Sequence, residues 1–148
     1  MAISAVVSTL AGTGVRGYQD GEGNAAKFSR PFGVAVDGDG NVIVADTWDN
    51  RIRKISPQGL VSTLAGTGEL GHQDGEGIAA QFKSPSGVAV DREGNVFVAD
   101  YGNHRIRKIS PQGLVSTLAG TGVRGHRDRE GIAAAQFNRP FGVAVDGE

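Results

Sequence analysis

The sequence predicts an all-β chain of repeated four-stranded antiparallel sheets stacked face to face, and three observations carry that prediction. The first is an internal repeat: "VSTLAGTG" begins at Val7, Val61 and Val115, a step of 54 residues each time. Arg51–Gly68 and Arg105–Gly122 are identical, both "RIRKISPQGLVSTLAGTG". The second is punctuation, because short β-branched runs alternate with Gly, Asp, Asn and Pro turns. The third is continuous apolarity: Val34–Val36 and Val42–Ala45 show almost no polar alternation. A strand of that kind needs cover on both faces, so each small sheet must lie between two others.

Within one repeat the elements follow in order. Gly33–Asp37 and Asn41–Asp46 are strands split by "GDG", a strong hairpin signal. "RIRKI" at Arg51–Ile55 follows the turn "TWDN", and Gly59–Gly66 follows "SPQ". Four strands joined by tight antiparallel turns, with sheets stacked around an axis, make a β-propeller. Residues 28–81 and 82–136 would be two complete blades. Residues 5–27 would supply an orphan outer strand and connection, and 137–148 an orphan inner strand at Phe141–Asp146. No helical periodicity of the kind that stacked helical repeats need is visible.

"GTGVRG" after an apolar stretch invites a dinucleotide-binding reading, strengthened by Asp37 lying 20 residues past Gly17. A phosphate loop, however, must open a helix long enough to cross the sheet. Here "YQDGEGN" follows, with at most one helical turn before Pro31, and three copies would demand three dinucleotides. These glycines instead suit backbone positions with positive φ in the connection to the next blade.

Composition narrows the classes of function. Lys plus Arg is 15 and Asp plus Glu 16, so no bulk charge draws the chain to nucleic acid or a membrane. Cysteine is absent, which removes disulfide and thiol–metal chemistry and leaves the compartment open. "MAISAVVSTLAG" reads neither as a signal peptide nor as a span, so the chain is expected to be soluble.

"SRPFGVAVDGDGNVIVADTWDNRIRKI" and "KSPSGVAVDREGNVFVADYGNHRIRKI" closely resemble the NHL repeat. The connecting "LAGTGxxGxxDGxG" is similar to the longer variety of that repeat. The resemblance implies a propeller, commonly six-bladed. It implies no single activity, because such propellers serve as protein-binding, RNA-binding and sensor domains, and related ones include enzymes. Two complete blades cannot close a ring. The expected partner is therefore the chain itself, with three copies of two blades favoured.

Differences between near-identical copies concentrate on the face carrying the second-to-third strand turn and the inter-blade connection. Tyr18, His72 and His126 occupy one loop position there, and Thr47-Trp48 aligns with Tyr101-Gly102. Trp48, the sole tryptophan, sits where the repeat prefers Gly and is a candidate anchor for a protein, peptide or small ligand. Asp46 and Asp100 are expected to pair across the hairpin with Arg51 and Arg105, with a central ion or ligand as the alternative role. "DGDGN" (Asp37, Asp39, Asn41) has the first spacings of a calcium loop but lacks the later ligands, and reads as a hairpin turn. Arg129 replaces Gly21 and Gly75 and would be strained if that position needs positive φ. No catalytic residue, metal ligand set or cofactor is expected, and nucleic acid is not an expected partner despite "RIRK". The competing readings are an RNA-binding propeller and a piece of a propeller lyase or lactonase.

Overall fold

The computed structural model describes residues 4–147, with the side chains of residues 132 and 133 left aside. Ten strands form two sheets. The first contains β1 (Gly21–Glu22), β2 (Pro31–Val36), β3 (Val42–Asp46), β4 (Arg51–Ile55) and β5 (Leu60–Ala65) in the order β1-β5-β4-β3-β2. The second repeats it with β6 (Gly75–Glu76), β7 (Pro85–Val90), β8 (Val96–Asp100), β9 (Arg105–Ile109) and β10 (Leu114–Ala119) in the order β6-β10-β9-β8-β7. Among the described residues the ten strands pair antiparallel throughout, as blades require. Among the described residues no helix is long and apolar enough to cross a membrane.

Two expectations are corrected. Each sheet has five strands rather than four, because the inter-blade connection lays Gly21–Glu22 along β5 and Gly75–Glu76 along β10. Glycines at φ +127° and +128° turn the chain into that short pairing, which satisfies the outer edge of each sheet. The orphan strands are also absent as strands: among the described residues, 4–12 and 140–147 carry no β-ladder. The reason is topological, since the strands that would pair with them lie in neither sheet.

The third connection departs from the other two. Arg129 does not take a positive φ, the short fifth-strand pairing is not formed, and a single turn α1 (Gly131–Ala134) follows. The expected strain is relieved by a different backbone path.

The turns are built from local side chains. Asp37 accepts hydrogen bonds from the N–H groups of Asp39 and Asn41, both 2.9 Å, and from Asn41 Nδ2 at 2.9 Å, which makes "DGDGN" a self-satisfied hairpin turn. Ser56 Oγ accepts from Leu60 N at 3.1 Å in the next turn.

The main core lies between the sheets. Ile43, Ala45 and Ile52 of the first face Val88, Val96 and Val98 of the second, with Ala65, Ala80 and Phe82 closing the outer end. The inner strands approach so closely that only glycine fits. A Cβ on Gly33 would collide with the Ser86 carbonyl, and one on Gly87 would lie 2.6 Å from the Phe141 carbonyl oxygen. Inner strands β2, β7 and segment 141–142 thus stack in one repeating relation.

Equivalent positions reveal what is missing. Val88 is 7% exposed, whereas Val34, one repeat earlier, is 64% exposed. Leu64 is half-buried against the second sheet, whereas Leu118 is 47% exposed. On the first sheet's far face Val44, Ile55 and Val61 are buried beneath Ala26 and Phe28 of the connection, while the inner-strand valines Val34 and Val36 stay exposed. On the second sheet's far face Leu118 stays exposed.

This stacking makes a direct prediction. Gly87→Ala should destabilise the chain by about 1–3 kcal/mol through overpacking. Gly142→Ala should stay within about 0.5 kcal/mol, because nothing lies within 4 Å of its Cβ position. Urea unfolding of the two variants measures the contrast; equal costs would contradict it.

Candidate functional site

The second-to-third strand turns are single 3₁₀ turns, Thr47–Asp49 and Tyr101–Asn103, closed by Asn50 at φ +56° and His104 at φ +54°. Beneath each turn lies a buried ion network. Asp46 Oδ1 accepts from Ser29 N at 2.7 Å and Oδ2 from Arg53 Nη1 at 2.7 Å, and both side chains are fully buried. Arg53 also donates to the Lys27 and Gln19 carbonyls, each at 2.9 Å, and pairs with Asp20 at 2.9 Å. Asp100, Arg107 and Asp74 repeat the arrangement, with both ion-pair contacts at 2.8 Å.

The expected pairing of Asp46 with Arg51 and of Asp100 with Arg105 is therefore corrected: the partners are Arg53 and Arg107. Arg51 and Arg105 instead reach outward to cap the glycine connection, donating to the Thr67 carbonyl at 2.8 Å and the Thr121 carbonyl at 2.9 Å. Their guanidinium groups lie across Gly68 and Gly122, where a Cβ would approach within 2.6 Å and 2.5 Å. This explains the "GTG" motif: a positive φ and bare space for an arginine, with no phosphate cradle. "RIRK" is likewise no basic patch, since its second arginine is buried in each blade.

The two networks differ at one position. In the second blade Asn103 Nδ2 donates to Asp100 Oδ2 at 2.7 Å. In the first blade Asp49 stands there, so two carboxyl groups face each other. Burial pushes Asp46 up to about 7; Asp49 adds to the rise, while Ser29 N–H and Arg53 oppose it. Burial also raises Asp100, against hydrogen bonds from Asn103, Lys83 N–H and Arg107.

The shared loop position behaves as one slot. Tyr18 Oη lies 2.7 Å from Thr63 Oγ1, and His72 Nε2 lies 2.9 Å from Thr117 Oγ1. Burial, with Arg107 and Arg105 nearby, lowers His72 below the ordinary imidazole value. Among the described residues no threonine hydroxyl meets His126, and its side chain is 90% exposed. The three residues thus do not converge. Among the described residues no three His, Asp or Glu side chains gather closely enough to hold a metal.

Trp48 and Tyr101 do converge. They line a cleft of about 380 Å³ between the tops of the two sheets, with Arg30, Pro31, Phe32 and Phe141. Arg30 stacks 3.9 Å from the centre of the half-exposed Trp48 ring, and Arg16 lies at 5.6 Å. Phe32 and Phe141 lie 4.4 Å apart, with Tyr101 edge-on to Phe141 at 6.0 Å. Arg139 sits 5.9 Å from the Tyr101 ring. Among the described lining residues there is no acid. The sequence reading missed Phe32, Phe141 and Arg30, which lie in the repeated "RPFGVAVD" and come together only through the stacking of the inner strands.

Residues 28–55 and 82–109 match the NHL repeat. The chain carries two NHL repeats. Chicken NHL repeat-containing protein 2 is 38% identical over 126 residues, covering 79% of this chain and 17% of that protein. A probable peptidyl-alpha-hydroxyglycine alpha-amidating lyase from Caenorhabditis elegans is 34% identical over 95 residues, covering 62% of this chain and 26% of its own length. A solved structure of a Bacteroides thetaiotaomicron protein of unknown function superposes with a TM-score of 0.73 at 31% identity, over 80% of this chain and 30% of the other. The matched part is only 17%, 26% and 30% of these three proteins, so the repeats here match part of a larger architecture.

The contrast between Asp49 and Asn103 is testable. With Asp46 raised above its unfolded value, the native state holds a proton that the unfolded chain releases. That contribution is present at acid pH and is lost as pH rises through about 7. Asp49→Asn, copying Asn103, should gain about 1–3 kcal/mol at pH 8 and progressively less toward pH 5. Urea midpoints at the two pH values test this; a pH-independent gain would refute the carboxyl pairing.

Proposed function

We propose that this chain is a non-catalytic binding and assembly module: it joins copies of itself into a propeller and offers the loop face to a protein or peptide. The observation that carries the reading is the open aromatic cleft, with Trp48, Phe32, Tyr101 and Phe141 exposed or half-exposed at the mouth and ringed by Arg16, Arg30 and Arg139. Aromatic rings concentrated at a surface are costly to leave wet and are typical of binding hot spots. The arginines select the partner's chemistry, favouring an aromatic side chain flanked by acids.

The lyase likeness gives the enzyme reading its support. That reading would need a reacting centre on the channel, and the histidines are dispersed instead: His72 on Thr117, His104 accepting from Arg139 N at 3.0 Å, and His126 in solvent. An RNA-binding role draws on the same arginines, but burial of Arg53 and Arg107 removes one of the three basic residues of each "RIRK" from the surface.

Trp48 is the sole tryptophan, so its emission reports the cleft directly. A peptide alternating Glu with Phe should quench it saturably, and the quench should weaken with salt. A peptide alternating Lys with Phe should not. Equal responses, or none, would overturn the binding role.

Assembly has its own measurement. Native mass spectrometry of the full chain should show particles of three copies, giving six blades. A single-copy mass together with a cooperative melt would defeat the assembly reading.

A further inference from the structure

We infer that Arg139–Asp146 is a stand-in for the first inner strand of a second copy of this chain, seated on the second sheet until that copy's first sheet displaces it. The inference rests on the self-assembly proposed above and specifies its joint.

The sequence supplies the identity: Arg30–Asp37 and Arg139–Asp146 both read "RPFGVAVD". The structure supplies the placement. Gly33 packs on Ser86 and Gly87, and Gly87 packs on Phe141 and Gly142 in the same relation. Segment 141–146 therefore occupies the place that an adjoining blade's inner strand would take.

The stand-in fills that place incompletely. It carries no β-ladder, and it leaves a cleft of about 470 Å³ between Phe97, Ile106 and Leu118 on one side and Val143 and Val145 on the other. At the equivalent place between the two sheets, Val96 and Val98 fill the space against Ile43 and Ile52. A second copy holds the missing side chains in register, since Val34 pairs across the strands with Val44, and Val36 with Val42. Seating that sheet would place Val34 and Val36 where Val143 and Val145 now lie, and Val42 and Val44 in the cleft. Both sets cannot occupy the site, so the tail must leave, and the second copy's Arg30 and Phe32, identical in sequence, take the cleft places of Arg139 and Phe141.

The same superposition fixes the joint. Leu10, Leu64 and Leu118 are equivalent, so the second copy's residues through Ala11 coincide with the end of β10 of the first. These residues carry no ladder, and Val6 and Val7 are 92% and 95% exposed. The joint passes from Ala119 of one copy to Gly12 of the next, so the first copy's residues 120–138, equivalent to 12–29, give way together with the tail. It is head-to-tail, so a ring forms where the rotation closes.

Two complementary blocks test this in the full chain. Val36→Arg closes the head face and Leu118→Arg the tail face; both positions are exposed in the single chain, at 65% and 47%. Each variant alone should remain a single copy in native mass spectrometry, and their mixture should give pairs and nothing larger. With no native cysteine present, Gly147→Cys in the Val36→Arg variant carries a dye on the tail. On mixing, particle mass should double while dye anisotropy falls roughly twofold, as the released tail gains nanosecond freedom. Pairs whose anisotropy rises with mass would overturn the displacement and leave the assembly standing. No pairs at all would overturn the assembly and this inference with it. If either Arg variant fails to melt cooperatively, Val34→Glu and Leu118→Glu repeat the mixing with the same readings.

Discussion

The close stacking of inner strands governs the rest of the molecule. Gly33 against Ser86–Gly87, and Gly87 against Phe141–Gly142, bring neighbouring backbones nearer than any side chain allows. With the backbones in contact at the axis, the sheets splay outward, and the wedge between them must be filled by larger side chains further out. Val96 and Val98 meet Ile43 and Ile52 near the axis, with Phe82 at the periphery. Burying one such aliphatic side chain is worth about 1.5–3 kcal/mol relative to leaving it wet. The same constraint makes an open blade face costly, because valines placed to fill a wedge have nothing to fill when the neighbour is absent.

The polar scaffold of each blade obeys a second demand. Arg53 and Arg107 cross the sheet interior with no exposed surface, which is tolerable only because each donates to two carbonyls and two carboxylates. The carbonyls belong to the inter-blade connection, at Gln19 and Lys27 and again at Gln73 and Gln81. A buried guanidinium therefore ties that long, glycine-rich loop to the sheet it precedes. The short strands β1 and β6 complete the attachment, so the connection belongs structurally to the following blade.

The repeat, the strand positions and the need for cover on both faces were all legible in the sequence, because periodicity and apolar runs are local signals. The arginine partners were not. Arg51 lies directly opposite Asp46 in the ladder, so a pairing rule based on register selects it, yet the carboxylate turns inward and meets Arg53. The fifth strand was hidden for a related reason: two residues, Gly21–Glu22, carry no period to detect. The cleft was half visible. Trp48 and Tyr101 stood out as turn residues that differ between copies, whereas Phe32 and Phe141 lie inside the inner-strand motif, where Ser86 in the middle copy gave no sign that the two rings meet in space.

That last pattern bears on how the loop face works. Where copies agree, the residue answers to packing that recurs in every blade; where they differ, recurrence no longer constrains it. At Gly102 a Cβ would lie 2.8 Å from the Lys83 carbonyl oxygen, so the second blade's turn sits tight on its neighbour. Trp48 takes the equivalent position in the first blade, its N–H donating to the Ser29 carbonyl at 3.0 Å while the ring leans onto Arg30. The backbone hydrogen bond that defines the turn survives, and only the outward surface changes. A blade can thus vary its face without disturbing the network below, since Asp46 and Arg53 hold the turn from inside. Each cleft also takes one wall from each of two blades, so its chemistry is set by the pair. With a Trp-bearing blade followed by a Tyr-bearing one, a ring of such copies would present two kinds of cleft in alternation rather than one kind throughout.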